Sequence, residues 1–282
     1  MRIVVTGANG QLGSELQDLL AGQTNKECFF LDRKKLPLDQ TLLIQDILGQ
    51  YQPDIIIHTA AYTAVDKAES EPESANRVNH LATEEIAQYC RVHGSKLIAI
   101  STDYVFAGDS AVALNEDEPV DPINVYGLTK LKGEQAIQKW SPEGIIIRTS
   151  WVYSIYGNNF VKTMIRLMGE REEISVISDQ KGSPTYAKDL AEAILTIIES
   201  GVWQSGIYHY SNEGEISWYD FAVAIRDLKG LDCQVNPIPT IQYPTPARRP
   251  NYSFLDKSKI KVAFNLTIPF WKDSLKSMLD KI

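Results

Sequence analysis

Five short apolar runs recur through the first 150 residues, each separated from the next by room for a helix. They are RIVVTG (2–7), CFFLD (28–32), DIIIHTA (54–60), KLIAIST (96–102) and GIIIRTS (144–150). Unbroken β-branched runs of this length suit strands covered on both faces, as in a parallel sheet. The intervening stretches SELQDLLA (14–21), TLLIQDILGQY (41–51) and ESANRVNHLATEEIAQYCRVHG (73–94) carry helical patterns, the last with a glycine stop. The alternation predicts an α/β chain built on a doubly wound parallel sheet.

Beyond residue 150 the pattern is less regular. Helices are expected over 158–170, 186–200 and 217–229, the last opened by Ser217 as N-cap, with short strands at 173–178 and 206–211. Five prolines between Pro237 and Pro250 predict a stiff extended loop. The division expected is a dinucleotide-binding unit from 1–151 plus 183–210. A smaller, interleaved C-terminal substrate unit takes 152–182 plus 211–282.

The first strand runs into TGANGQLG, which spaces Gly7, Gly10 and Gly13 as G-x-x-G-x-x-G and then opens a helix. Strand, glycine turn and helix in that order are the Rossmann arrangement. The glycines allow a tight turn and close approach of backbone to a pyrophosphate, and the helix N-terminus faces the phosphates. Gln11 and Leu12, at the start of that helix, count among the cofactor contacts, as does Ile100 in the fourth strand. Asp32 ends the second strand, where a carboxylate can accept from ribose hydroxyls. Arg33, Lys34 and Lys35 follow and can hold a 2′-phosphate, so use of both NADPH and NADH is expected. Asp39 either caps the next helix or approaches the adenine. Ala60 and Ala61 leave the third strand where a cofactor can lie close, with Tyr62 and Thr63 toward the nicotinamide. His58 reads as strand packing, and the four histidines show no metal-ligand spacing.

Tyr126 and Lys130, in NVYGLTK, are four positions apart and share a helix face. Thr102 ends the fourth strand on the same side of the sheet. Hydroxyl, phenol and ammonium together suit carbonyl reduction, in which an acid protonates the alkoxide as hydride arrives. A phenol near pKa 10 is a slow acid. A cation about 4 Å away stabilises phenolate by roughly 4 kcal/mol at an effective dielectric near 20, so Lys130 is expected to make Tyr126 a better donor. Thr102 can orient the substrate oxygen.

A net charge of −8 argues against a nucleic-acid surface. Cys28, Cys90 and Cys233 have no paired spacing and suit a reducing compartment. No signal peptide or membrane span is expected, so the expectation is a cytoplasmic protein acting on a small molecule.

The motifs TGxxGxxG, STDYVF, YGxTK and RTSWVY together resemble the extended short-chain dehydrogenase/reductases. AAYTAVDKAESEPE, NVYGLTKLKGE, SDQKGSPT, WYDFA and YPTPARRP narrow the resemblance to the dTDP-4-dehydrorhamnose reductase family, end to end. The resemblance implies reduction of the 4-keto group of dTDP-6-deoxy-L-lyxo-4-hexulose by NADPH or NADH. It implies Tyr126 as proton donor, Lys130 as its modulator and ribose anchor, and Thr102 as third member. It also places Asp103 and Trp151 near the sugar. Trp151 offers a flat face to a hexose or fills a core, and Asp103 accepts from a sugar hydroxyl or steadies its loop. Asn158 and Asn159 bond the sugar or cap the next helix. Arg248 and Arg249, in the proline loop, suit a substrate diphosphate. Asn79 is expected to tie its helix to the catalytic strand.

Some members of this family look like dimers bridged by magnesium on glutamates. Here Glu15 is present, but the other two positions fall at Lys188 and Lys281. No metal site is expected, and the chain is read as a monomer or weak homodimer. The competing readings are a non-catalytic nucleotide-binding regulatory subunit and another nucleotide-sugar reductase or epimerase.

Overall fold

The computed structural model describes residues 1–282. Its centre is a six-stranded parallel sheet. Strands β1 (Arg2–Thr6), β2 (Glu27–Leu31), β3 (Ile55–His58), β4 (Lys96–Thr102) and β5 (Ile145–Thr149) are joined by a sixth at Gly206–His209. The order across the sheet is Gly206–His209, β5, β4, β3, β1, β2. The register brings His58 opposite Thr6 and Ala99, and Thr102 opposite Thr149. The chain therefore leaves β1, β3, β4 and β5 at one edge.

Alternate residues of each apolar run bury on opposite faces. Ile3, Val5, Ile55, Ile57, Ile98, Ile145 and Ile147 pack under helix α1 (Gln11–Leu20) and the helix Ala187–Glu199. Val4, Ile56, Leu97, Ala99 and Ile146 pack on the other face, under α2 (Ile44–Tyr51) and the helix Ala82–His93. This two-sided burial is what continuous β-branched runs encode.

The smaller unit has its own core, formed by the helices Phe160–Glu170, Trp218–Lys229 and Trp271–Leu279 around the parallel pair Glu173–Ile177 and Gln234–Ile238. Ser217 caps the second of these helices in a reciprocal box with Asp220. The proline segment begins differently from expectation. Pro237 lies in the parallel pair opposite Val176, and a 3₁₀ turn covers Thr240–Gln242. A two-stranded ribbon has only edge strands, where a proline costs no interior ladder bond. The short helix Ser258–Phe264 packs into the first core through Ile260 and Phe264, although it lies in the stretch read as the second unit. Asn212, fully buried, ties the units: its Oδ1 accepts from the Tyr186 amide at 2.7 Å and its Nδ2 donates to Asp189 at 2.6 Å.

No helix is long and apolar enough to cross a membrane.

Candidate active site

A cleft of about 1190 Å³ opens at the carboxyl edge of the sheet and runs between the two units. The β1 loop forms one end. Gly7 turns through φ +72°, and a Cβ there would stand 2.8 Å from Ala60 Cα. Gly7, Gly10, Gln11 and Leu12 line the cleft, but Gly13 does not. A Cβ on Gly13 would meet the Gly7 carbonyl oxygen at 2.2 Å, so this glycine seats the helix on its loop rather than contacting a ligand.

Asp32, Arg33 and Asp39 line the same end. The Asp32 carboxylate accepts from the Lys34 and Lys35 amides, both at 3.0 Å, and from Asn9 Nδ2 at 3.3 Å. The backbone bond from Lys35 is the main influence holding its pKa below the usual range. Arg33 is exposed and lies 3.5 Å from Asp39, which caps no helix. A glycine cradle, a carboxylate at the end of β2 and an exposed arginine fit an adenine dinucleotide of either form.

Ala60, Ala61, Tyr62, Thr63, Ile100, Thr102, Asp103, Tyr126, Lys130, Trp151 and Asn158 also line the cleft. The helix Val125–Trp140 positions the central pair. Asn124 caps it, with Oδ1 accepting from the Gly127 amide at 2.7 Å, while its Nδ2 donates to the Arg248 carbonyl at 2.8 Å. Gly127, between Tyr126 and Lys130, is required by close approach: a Cβ would lie 2.1 Å from the Tyr104 carbonyl oxygen. The Tyr104 and Tyr126 rings meet edge to face at 5.8 Å.

Lys130 is buried, and its Nζ donates to the Ile100 carbonyl at 2.7 Å. Burial pulls its pKa down to about 8, against the opposing pull of Glu134. The Tyr126 phenol is pushed up to about 12 by burial, with the Thr102 hydroxyl lowering it and the Asp103 carboxylate raising it further. This corrects the expectation from sequence that the lysine charge sets the phenol. In this arrangement desolvation dominates, because the ammonium is directed at the β4 backbone.

Thr102 Oγ1 donates to Asp103 Oδ1 at 3.0 Å and accepts from the Tyr104 amide at 3.2 Å. Asp103 is 2% exposed. Trp151 adopts φ +47°, a left-handed conformation costly for a bulky residue. Its indole stacks on Trp218 at 3.7 Å and 16°. Trp218 lines the cleft too. Asn158 is exposed at the rim, whereas Asn159 caps the next helix, accepting from the Lys162 amide at 3.1 Å.

Arg248 and Arg249 lie outside the cleft wall. Arg248 is exposed, and Arg249 pairs with Asp66 at 2.8 and 3.0 Å and donates to Thr245 Oγ1 at 2.5 Å. The guanidinium expected to hold a diphosphate is thus committed to a carboxylate. Asn79 also departs from expectation. It sits in a π-helical turn, Arg77–Leu81, and bonds the Tyr62 backbone and Thr129 Oγ1, tying its helix to the β3 loop and the catalytic helix. Sequence reasoning missed Trp218, Tyr104, Lys67 and Arg77 as cleft residues. Trp218, Tyr104 and Lys67 lay within the motifs WYDFA, STDYVF and AAYTAVDKAESEPE, but nothing in those motifs marked them as cleft residues.

His58 is buried between Thr6 Oγ1 (2.8 Å) and Thr83 Oγ1 (3.2 Å), as strand packing requires. Glu15 is buried and accepts from Ser154 at 2.5 Å. Burial raises its pKa, and the charges of Lys281 and Lys188 oppose the rise. No group of three or more His, Cys, Asp or Glu side chains is arranged to hold a metal ion.

With this geometry, comparison with known proteins is decisive. The family model of the RmlD substrate binding domain matches residues 1–282. The chain belongs to this family. It is 41% identical over 293 aligned residues to dTDP-4-dehydrorhamnose reductase of Escherichia coli K12, covering 100% of this chain and 98% of that protein. The fold superposes on a dTDP-4-dehydrorhamnose reductase from Clostridium acetobutylicum with a TM-score of 0.96 at 39% identity, covering 100% and 99%. A Bacillus anthracis dTDP-4-dehydrorhamnose reductase solved in complex with NADP gives 0.95 at 40% identity, again covering 100% and 99%.

Proposed function

We propose that this chain reduces the 4-keto group of dTDP-6-deoxy-L-lyxo-4-hexulose to give dTDP-L-rhamnose, using NADPH or NADH. The observation that carries the reading is the convergence of Thr102, Tyr126 and Lys130 on the cleft whose other end is the glycine cradle. A reduced nicotinamide bound along that cleft supplies the hydride.

The chain's own groups do the rest. Tyr126 holds the proton that the C4 oxygen needs as negative charge builds there. A phenol kept protonated by its surroundings is a competent acid once an alkoxide, a far stronger base, forms beside it. Lys130, fixed by Ile100, presents its charge from the same helix face and is the group that would bond a ribose. Trp151 and Trp218 offer the flat apolar surface on which the hexose lies, and Asn158 sits at the mouth. Arg249 is held by Asp66, whereas Arg248 is exposed and unpaired in the proline loop.

The test is product identification. The purified chain with NADPH, and separately NADH, is given the 4-keto dTDP-sugar, and the product is examined by proton NMR. The reading expects the dTDP-L-rhamno configuration at C4. Absence of turnover with both cofactors, or the other C4 epimer, would overturn it.

A further inference from the structure

Asp103 is buried beside the reacting groups. Its one well-formed side-chain hydrogen bond is at Oδ1, and the Ser253 hydroxyl lies near the carboxyl. Oδ1 accepts the Thr102 hydroxyl hydrogen at 3.0 Å, whereas Oδ2 is buried and forms no such bond. The arrangement constrains Thr102, whose hydroxyl has a single hydrogen and two lone pairs. One lone pair takes the Tyr104 amide. With Asp103 ionised, the hydrogen is committed to the carboxylate, and only a lone pair is left for the cleft. In that state Thr102 can accept from a ligand but cannot donate to it.

A neutral Asp103 reverses the bond. Its O–H donates to Thr102 Oγ1, both threonine lone pairs are then filled, and the threonine hydrogen is free to point into the cleft. We propose that Asp103 is a positioning residue that sets, through its own protonation, whether Thr102 donates to the substrate's ketone oxygen. The inference rests on the reductase reading above.

The surroundings make a neutral carboxyl accessible. Burial pushes the Asp103 carboxyl up to about 6, against the pull of the Ser253 and Thr102 hydroxyls and the local backbone. No cation is bonded to it: Lys130 Nζ is on the Ile100 carbonyl, and Arg249 is on Asp66. The other ionisable groups facing it are the phenols of Tyr104 and Tyr126, both neutral at these pH values. Neutralising Asp103 also removes a charge that raises the Tyr126 phenol. Both effects favour proton delivery to the ketone.

Asp103→Asn separates the possibilities, because an amide places a permanent donor where the neutral acid has one. Wild-type kcat/KM for the ketone should fall roughly 100-fold between about pH 5 and pH 8, as one oxyanion donor is lost. Asp103→Asn should hold the low-pH rate across that range, and Asp103→Ala should be slow throughout. A second readout needs no turnover. In the protein alone, carbon NMR of labelled aspartate should show one carboxyl titrating near pH 6 that is missing from Asp103→Asn. NADPH affinity, measured by fluorescence, should be equal in all three and establishes that the variants fold. A step near pH 6 that persists in Asp103→Asn, an asparagine variant as slow as the alanine variant, or a wild-type profile flat across the range would each overturn the proposal. A wild type inactive at every pH would instead overturn the reductase reading.

Discussion

Trp151 shows how a single residue can be legible in type and illegible in posture. Its place just past β5 gives the expectation of a sugar-facing ring, but nothing local predicts φ +47° or the stack on Trp218. The posture comes from two sides. Trp218 reaches it from the second unit, and Gly182 leaves room, since a Cβ there would stand 3.0 Å from the indole. Trp151→Ala should raise KM for the dTDP-sugar about 2- to 10-fold, the worth of one aromatic contact. NADPH affinity should stay within about twofold. Titrating both ligands checks this, and equal losses for the two would remove Trp151 from the sugar side. The placement of Tyr126 and Lys130 on one helix facing the cleft was legible because i,i+4 spacing fixes a shared helix face. The direction of the phenol's pKa was not, because burial depends on what packs around it.

At the scale of elements, the catalytic helix is held at its start by one asparagine. Asn124 caps Val125–Trp140 and grips the Arg248 carbonyl, so one side chain joins the proton donor's helix to the proline loop. Asn124→Ala should lower stability by about 0.5–2 kcal/mol, the range for a lost N-cap. It should reduce kcat/KM more than cofactor affinity. Denaturant titration alongside kinetics tests this, and a variant with unchanged stability would show that the cap is replaceable. Lower on the same helix, Gly133 lies against the π turn, where a Cβ would sit 2.4 Å from the Asn79 carbonyl oxygen. The π turn itself had no sequence signal: Asn79 was expected to tie its helix to the catalytic strand, but nothing in the stretch marked a change of helix type.

For the whole molecule, the first unit was readable since each parallel strand writes its two-sided burial into a continuous apolar run. The interleaving was harder. The strand Gly206–His209 falls in the stretch expected to rejoin the first unit and pairs with β5, but the helix Ser258–Phe264 returns to the first core with no local trace. The buried histidines give this architecture a pH signature. Burial holds the His58 and His209 rings neutral down to about 3, whereas an unfolded histidine takes its proton near 6.5. Below that value the unfolded chain binds protons the folded one does not, so each ring costs stability as pH falls from about 6.5 toward about 3. Buried carboxyls such as Asp103 and Asp189 act in the opposite sense, so the histidine effect is best isolated by difference. Between about pH 7 and pH 5, wild type should lose about 2 kcal/mol relative to His58→Gln. A gap between the two proteins that does not change with pH, in urea denaturation, would mean that the ring is protonated in the fold.

The central claim is that the Tyr126 phenol delivers the proton that completes ketone reduction in this cleft. Tyr126→Phe, assayed by loss of reduced-nicotinamide absorbance with the 4-keto dTDP-sugar, measures it most directly. The account predicts NADPH affinity within about twofold of wild type and kcat lower by 10²- to 10⁴-fold, the usual worth of a positioned general acid. Turnover close to that of wild type would contradict it.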